Sequence, residues 1–286
     1  MPAEIEPAQR RFEALGTTCH LIGTGAAADR LAAGEAWVRA MHARLTRFEA
    51  GSELSRLNAA GHAVRVSAEL EALLLAALEA WRESGGLVNA AVLPAMLASG
   101  YTRPLAQGPG RASGAPAVPP PLPAVLQVGP GRSAWVAAGA GLDLGGIAKG
   151  WMADRLALNL GGDCVVNLGG DLFARGSGPS GDGWPVAFGG ATLLLRDQGA
   201  ATSSIRRRRW RGPAGAQHHL IDPRTGRPSD SGVEEVAVVC GSALEAEVLA
   251  KTALLAGPRE AEARLRPRAL AWWLRPVSDA VAPAAA

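Results

Sequence analysis

The residues best suited to chemistry lie in one stretch, residues 141–176, which reads GLDLGGIAKGWMADRLALNLGGDCVVNLGGDLFARG. Its spacing predicts a glycine-rich turn, then a helix over about 147–160, then a buried strand over 165–168. A helix that starts beside glycines presents free N–H groups and the positive end of its dipole to a closely approaching ligand. With Lys149 in the first turn, the stretch suits a phosphate or pyrophosphate group.

This stretch is not a P-loop, because Lys149 is followed by Gly150 rather than by Ser or Thr. Residue types alone favour a plainer interpretation, in which glycines cap the helix and Lys149 is solvated. Other parts of the sequence therefore have to decide between an anion site and an ordinary helix start.

A second candidate lies in HHLIDPRTGRP, residues 218–228, which predicts a strand that ends in a Pro/Gly turn. Adjacent strand residues point to opposite faces, so His218 and His219 are not expected to bind one metal ion together. One of the two histidines can therefore face a site. Asp222 either belongs to that site or only organises the turn through its side chain, and the sequence favours neither.

Two charged residues, Glu247 and Lys251, lie four positions apart on a predicted helix. A capping box at residues 242–245 opens this helix, and Gly257 closes it. Residues at this spacing are neighbours on one helix face, and as an exposed ion pair they would contribute only about 0.2–0.5 kcal/mol. The pair alone indicates no site.

Composition predicts a globular chain, since 48% of the 286 residues are hydrophobic and 19% are charged. The net charge of +3 is too small to indicate a nucleic-acid partner. The arginine run at residues 206–211 is more typical of a solvated strand face or a local anion contact than of nucleic-acid binding.

The cysteines and the N-terminal residues indicate the cellular compartment in which the protein is expected. Cys19, Cys164 and Cys240 are too few and too far apart to predict a disulfide framework or a zinc site, which favours a reducing compartment. The first 15 residues do not have the pattern of an export signal, and no apolar run is long enough to span a membrane. We therefore expect a cytoplasmic protein without membrane insertion.

The remaining elements are predicted from hydrophobic periodicity and turn residues. The patterns predict a strand pair over 11–24, helices over 27–48 and from Ser67 to Gly85, strands over 184–188, 192–195 and 236–240, and a final strand in RALAWWL. SELSRLN, at 52–58, is expected to be an ordinary capped turn. The proline-rich residues 104–134 are expected to form a surface insertion, and residues 277–286 a disordered tail.

The order of these motifs closely resembles the ApbE-like FAD:protein FMN transferases over about residues 12–257. The motifs are ALGTT, SELSRLN, GGLVNAAVLPAM, DLGGIAKGWMAD, VNLGGD, ATSS, HHLIDPRTGRP and AEVLAKTALLAG. The resemblance implies one α+β domain over residues 1–286, with mixed or antiparallel sheets, packed helices and a flavin cleft between two parts of the chain. It also implies an enzyme that binds FAD, usually with Mg²⁺, and transfers FMN to a Thr or Ser hydroxyl of an acceptor flavoprotein, releasing AMP.

Site residues carry over from the matching motifs. The resemblance implies flavin-nucleotide contacts from Leu15, Phe48, Leu87, Val88, Asn89, Gly145, Trp151, Ile221 and Ala250. It places metal ligands at the Ala148 carbonyl and at the side-chain positions of Glu247 and Lys251. His219 matches the histidine proposed as catalytic.

The implied chemistry agrees with these residue types. Attack of a hydroxyl on the FMN phosphorus needs a base, positive charge at the pyrophosphate and in-line positioning. His219 would serve as the base and Lys149 would stabilise the pyrophosphate, with a hard cation shared between phosphate oxygens and Glu247.

Three positions depart from the family pattern. The family commonly has Asp at the positions of Glu247 and Asn89, and Thr or Ser at that of Lys251. An ammonium cannot ligate Mg²⁺ and repels it, so we expect Lys251 to contact the pyrophosphate directly and metal dependence to be weak or altered. The alternatives are an FAD-binding protein without transfer activity and an FAD pyrophosphatase that gives FMN and AMP.

Overall fold

The computed structural model describes residues 6–108, 110–113, 117–212 and 215–277. The α-helices are α1 (Ala26–Leu45), α2 (Glu53–Ala60), α3 (Ala68–Glu83), α4 (Leu93–Ala98), α5 (Leu122–Val125), α6 (Ala148–Leu160), α7 (Ala243–Ala256) and α8 (Pro258–Leu265). Short 3₁₀ helices cover Ala90–Val92, Leu105–Gln107 and Pro130–Arg132.

The strands come in two groups along the chain. The first group is β1 (Ala8–Ala14), β2 (Thr17–Gly23), β3 (Val64–Arg65), β4 (Leu126–Gly129), β5 (Ser133–Val136), β6 (Cys164–Leu168), β7 (Leu172–Arg175), β8 (Trp184–Phe188) and β9 (Ala191–Leu195). The second group is β10 (Gln198–Ser204), β11 (Arg209–Gly212), β12 (Gly215–His218), β13 (Ile221–Asp222), β14 (Arg227–Pro228), β15 (Val233–Cys240) and β16 (Ala271–Pro276).

A seven-stranded antiparallel sheet, in the order β1-β2-β6-β7-β10-β15-β16, is the centre of the fold. Helices α1, α6 and α7 pack on it, and α6 contacts both other helices. Val166 of β6 packs in the large core cluster with α1 and α6, whereas Val165 packs with Trp184 of the β8–β9 hairpin. Because β6 is buried on both faces, it is a continuous apolar run rather than an alternating one.

SELSRLN forms a helix, so the expectation of a capped turn is wrong. Ser52 caps α2 by accepting a hydrogen bond from the Ser55 N–H at 3.0 Å, and the helix ends at Gly61 in the left-handed region. Leu54 and Leu57 are each 1% exposed in the core. Packing of these two leucines stabilises a helix that is too short to form alone, and this long-range contact is absent from the local sequence.

The predicted surface insertion over 104–134 differs from the structure beyond Pro121. Leu122 of α5 and Leu126 of β4 are buried in the core, and β4 pairs with β5, which also pairs with β3. This segment is therefore part of the packed structure, because its few leucines and valines are buried despite the prolines around them. Residues 109 and 114–116 of the predicted insertion lie outside the described residues.

Most other boundaries agree with prediction to within three residues. Helix α1 ends at Leu45 rather than at 48, because Thr46 has extended backbone angles. The predicted disordered tail begins at Val277, the last described residue, and 278–286 lie outside the described part of the chain. Within the described ranges, no helix has both the length and the apolar character needed to cross a membrane.

Helices α6 and α7 cap each other. The Asp154 carboxylate, from α6, accepts hydrogen bonds from the N–H groups of Ala243 (2.7 Å) and Leu244 (3.0 Å) at the start of α7. In return the Glu247 carboxylate, from α7, accepts one from the Gly150 N–H of α6 at 2.8 Å. A Cβ at Gly150 would lie 2.5 Å from the Ala243 carbonyl oxygen, so only glycine allows this approach. The starts of both helices are thereby fixed against each other.

Asp154→Ala is expected to lower the free energy of unfolding by about 2 kcal/mol, because two partly buried N–H groups lose their acceptor. Denaturant unfolding followed by circular dichroism measures the change as a lower midpoint with an unchanged slope. Asp29→Ala is the matched control: this carboxylate is exposed in the first turn of α1, and its removal should cost less than about 0.5 kcal/mol. Equal effects of the two substitutions would contradict the capping role.

Candidate active site

A cavity of about 1240 Å³ lies beside the start of α6. Its wall is built from the β1–β2 turn, the loop after α1, the turn that precedes α6, strand β10, the segment between β12 and β13, and α7. The glycine-rich turn and the histidine segment, which are far apart in sequence, therefore meet at one cavity.

The structure brings most of the residues named from the sequence into this wall. Those that line the cavity are Leu15, Phe48, Leu87, Val88, Asn89, Gly145, Ala148, Lys149, His219, Ile221, Glu247 and Lys251. Their roles in binding or catalysis stay predictions.

Trp151 and Ala250 are not among the lining residues. Trp151 is half-buried, with the Arg155 guanidinium 5.9 Å from its ring centroid, and Ala250 is fully buried in the cluster that α7 forms with β15 and α8. Each lies on a helix that contributes to the site, but its side chain leaves the helix in another direction. Two residues along a helix rotate a side chain by about 200°, which separates Trp151 from Lys149.

Lys149 is held by two carboxylates. Its ammonium contacts Asp171, at the end of the β6–β7 turn, and lies 3.2 Å from Glu247 Oε1. The side chains of Asp171 and Glu247 are 3% and 4% exposed, and that of Lys149 is 15% exposed. The interpretation of Lys149 as a solvated lysine is therefore wrong. Burial lowers the pKa of Lys149, and the charge of Glu247 opposes that shift.

Lys251 lies across the glycine turn. A Cβ at Gly146 would overlap the Lys251 Nζ atom, so a residue with a side chain at 146 would displace the ammonium. Burial lowers the pKa of Lys251, and the charge of Lys149 acts in the same direction while Glu247 opposes it. Among the described residues the Lys251 ammonium makes neither a hydrogen bond nor an ion pair. It is a cation at the cavity wall.

The two histidines point in different directions, as strand alternation predicts. His218 is buried, donates a hydrogen bond from Nε2 to the Ser229 carbonyl at 3.0 Å, and accepts one at Nδ1 from the Leu220 N–H. His219 lines the cavity, and its Nδ1 is buried without a hydrogen-bond partner among the described residues. Burial lowers the pKa of His219 well below 6.5, and the charges of Arg208 and Lys251 lower it further. His219 is therefore neutral at neutral pH.

Asp222 organises the turn rather than the site. Its carboxylate accepts hydrogen bonds from the Arg224 N–H at 2.9 Å and from the Arg224 guanidinium, and its carbonyl accepts one from the Gly226 N–H. It does not line the cavity. Of the two interpretations of Asp222, the structure selects the one without a site role.

The sequence missed a set of residues that shape the glycine turn. Arg47 packs against the rings of Phe48 and Tyr101, at 4.2 and 4.5 Å from their centroids, and donates a hydrogen bond to Asp143 at 2.6 Å. Asp143 in turn accepts a hydrogen bond from the Gly145 N–H at 2.8 Å. Arg47 and Asp143 are far apart in sequence, and no local motif predicts their ion pair.

Asp171 and Arg208 were also missed as site residues. Asp171 closes the VNLGGD motif, where a carboxylate after a double glycine was a usable signal. Arg208 lies in the arginine run and lines the cavity near His219, whose pKa it lowers. A run of four arginines gives no indication of which one turns inward.

The residues at the expected metal position do not fit Mg²⁺. Both Glu247 oxygens are engaged, one by the Lys149 ammonium and the other by the Gly150 N–H. Lys251, one turn further along α7, supplies only N–H donors and a positive charge. Within the described residues no group of three His, Cys, Asp or Glu side chains could hold a metal ion. A divalent cation at this position would meet one carboxylate that is already hydrogen-bonded on both oxygens, and two ammonium groups that repel it.

Comparison with known proteins gives a consistent set of similarities. The ApbE family model matches residues 15–272. FAD:protein FMN transferases of Klebsiella pneumoniae (strain 342) and Treponema pallidum (strain Nichols) are 32% and 31% identical over 44% and 45% of this chain. These alignments span 42% and 41% of the relatives, so the chain matches less than half the length of either one.

Solved structures show the same fold. The ApbE protein of Thermotoga maritima superposes with a TM-score of 0.81 at 21% identity, covering 94% of each chain. The apo form of the Pseudomonas stutzeri flavinyl transferase ApbE superposes with a TM-score of 0.80 at 21% identity, covering 96% of this chain and 92% of that one. The expected α+β fold is therefore confirmed.

The lowered pKa of His219 predicts a pH-dependent effect of His219→Gln on stability. As the pH falls below 6.5, the unfolded chain binds a proton at this histidine that the folded chain does not bind, so the free energy of unfolding decreases. Removing the imidazole removes that decrease. Between about pH 7.5 and about pH 5.5, the stability of the variant should therefore rise by about 1.4 kcal/mol relative to the unaltered protein.

Denaturant unfolding of both proteins at the two pH values measures this difference, and each protein serves as its own control because only the pH changes. The same difference in stability at both pH values would mean that His219 takes up its proton equally in the folded and unfolded states. That result would contradict its burial among positive charges.

Proposed function

This chain belongs to the ApbE family, and from that premise we propose that it transfers FMN from FAD to a Thr or Ser hydroxyl of an acceptor flavoprotein, with release of AMP. The observation that carries the proposal is the meeting of Lys149, Lys251 and the unpartnered His219 at one cavity beside the start of α6. Two ammonium groups suit a diphosphate, and a neutral imidazole suits the removal of a hydroxyl proton.

The cavity has the size and lining for a dinucleotide. Its volume of about 1240 Å³ exceeds the range of about 300–1,000 Å³ that encloses a drug-sized ligand. Leu15, Phe48, Leu87, Val88 and Ile221 supply apolar surface for the flavin ring. We place the diphosphate at the turn of Gly145 and Gly146, where a side chain on the backbone would block it.

The transfer is one displacement at phosphorus. The acceptor hydroxyl oxygen attacks the FMN phosphorus, its proton passes to the His219 imidazole, and the bond between that phosphorus and the bridging oxygen breaks. AMP leaves with the bridging oxygen and its electron pair. Lys149 and Lys251 offset the negative charge on the leaving phosphate.

His219 needs the bound substrate to act as a base. In the free protein the charges of Arg208 and Lys251 disfavour a protonated imidazole. A bound diphosphate brings negative charge to these cations and therefore raises the proton affinity of His219. Base strength and substrate binding are thus coupled.

Mg²⁺ has no part in this step. The resemblance implies a metal bound by the Ala148 carbonyl and Glu247, but the Glu247 carboxylate already binds Lys149 and caps α6. The proposed charge stabilisation comes from cationic side chains of the protein.

His219→Ala is expected to lower the rate of transfer by about 10²–10⁴-fold, the usual contribution of a positioned acid or base. The purified protein is incubated with FAD and a flavin-acceptor domain, and the assay follows AMP release together with covalent flavin on the acceptor by mass spectrometry. His62→Ala is the control, because His62 is exposed and outside the cavity wall.

Three outcomes would overturn the transferase. AMP release without covalent flavin would identify a pyrophosphatase that uses water as the nucleophile. Tight FAD binding with neither product would identify a binding protein. A protein that does not bind FAD at all would refute the placement of the flavin nucleotide in this cavity.

A further inference from the structure

Both lysines of this chain line the cavity. The other basic residues among the 29 Lys and Arg residues are arginines, yet positions 149 and 251 carry the compact ammonium group. Lysine differs from arginine in presenting a point charge on a flexible stem rather than a planar fork. The cavity wall therefore carries two compact ammonium groups, those of Lys149 and Lys251.

The two ammonium groups have different partners. Lys149 forms ion pairs with Asp171 and Glu247, so its ammonium already has two counter-ions within the protein. The Lys251 ammonium has no such partner among the described residues, although it lies in the same wall. Lys251 is half-buried, so its ammonium loses part of its hydration without gaining an ion pair, and a bound anion would offset that cost.

The backbone gives Lys251 a defined position. Its Nζ lies where a Cβ of residue 146 would be, directly over the turn that leads into α6. Gly146 thus leaves room for the ammonium, and the ammonium reaches the surface where the positive end of the α6 dipole also acts. Lys251 occupies the space that a small cation would need there.

A second cation without an ion pair among the described residues lies near His219. Arg208 is half-buried in the cavity wall, has a left-handed φ of 52°, and makes no hydrogen bond or ion pair within the described part of the chain. Its charge and that of Lys251 both act on His219. Arg207, exposed in the same wall, adds to the positive potential.

We propose that the Lys251 ammonium takes the place of a divalent metal ion at the diphosphate, so that this protein binds FAD without Mg²⁺. The inference rests on the proposed function for the identity of the ligand. Lys251 holds the diphosphate by charge-assisted hydrogen bonds, the charge of Arg208 adds to the attraction, and Glu247 stays bonded to Lys149 and Gly150.

FAD affinity tests the proposal without requiring turnover. The dissociation constant of the full chain is measured by flavin fluorescence, first in EDTA and then in excess MgCl₂. We expect the two values to agree within about threefold, because the cation is part of the protein. An FAD affinity that is lost in EDTA and restored by MgCl₂ would overturn the proposal.

Two variants at one position separate charge from metal binding. Lys251→Thr introduces a hydroxyl, which can ligate Mg²⁺, and should weaken FAD binding in EDTA by about tenfold or more, with recovery in MgCl₂. Lys251→Met keeps an apolar stem of similar length and should weaken binding equally, without recovery. If both variants bind FAD as tightly as the unaltered protein in EDTA, Lys251 does not hold the diphosphate.

Lysine-selective isotope labelling gives a second measurement. Because the chain has lysines only at 149 and 251, an ε-¹³C-lysine spectrum contains two side-chain signals, and Lys251→Thr assigns them. FAD added in EDTA should shift the Lys251 signal. An unchanged Lys251 signal on saturation with FAD would overturn the proposal.

The outcomes also separate this inference from the proposed function. Metal-independent FAD binding without transfer would support the role of Lys251 and refute the transferase. Mg²⁺-dependent binding with transfer would refute the role of Lys251 and support the transferase. Failure to bind FAD under either condition would refute both.

Discussion

The reciprocal capping of α6 and α7 is the constraint on which the site depends. Each helix gives a buried carboxylate to the start of the other: Asp154 bonds the first N–H groups of α7, and Glu247 bonds the Gly150 N–H of α6. Helix starts that are buried need such acceptors, and here the acceptors come from the neighbouring helix rather than from local caps alone. The close contact at Gly150 makes this arrangement possible. As a result, Lys149 on α6 and Lys251 on α7 are held in a fixed relation.

Ion pairs between side chains of the wall explain part of the charge distribution of the cavity. Three carboxylates of the wall have cationic partners in the protein: Asp143 binds Arg47, while Asp171 and Glu247 bind Lys149. Glu13, Glu49 and Glu235 line the cavity without an ion pair among the described residues. Lys251 and Arg208, both half-buried, line the same wall and form no ion pair within the described residues. These cations make the part of the wall beside His219 positive, although the chain as a whole has a net charge of only +3.

Much of this arrangement can be predicted from residues that are close together in the sequence. The glycine pairs delimit α6, the capping box opens α7 through Ser242 and the Glu245 N–H, and strand alternation separates His218 from His219. Each of these features depends on residues within a few positions of one another. Local sequence therefore predicts where helices begin and that the two histidines point to opposite sides.

Features that depend on distant partners were not predictable in this way. Helix α2 forms because Leu54 and Leu57 reach the core, and Arg47 fixes the glycine turn through Asp143 on a separate segment. Motif matching also placed Trp151 at the site, although rotation along α6 directs it elsewhere. A motif identifies a helix that contributes to a site, but packing decides which of its faces does so. The role of Glu247 as a cap could not be predicted either, because its partner, the Gly150 N–H, lies on another helix.

A tethered ammonium and a divalent ion stabilise a diphosphate by different physical routes. Mg²⁺ arranges oxygen ligands octahedrally at about 2.0–2.1 Å and so helps to orient the phosphate. An ammonium carries one charge, donates three hydrogen bonds and imposes no coordination geometry. With Lys251 in this role, the phosphorus must be oriented by the backbone of the glycine turn. The bonds from Arg47 to Asp143 and from Asp143 to Gly145 give that turn the rigidity that a metal centre would otherwise supply.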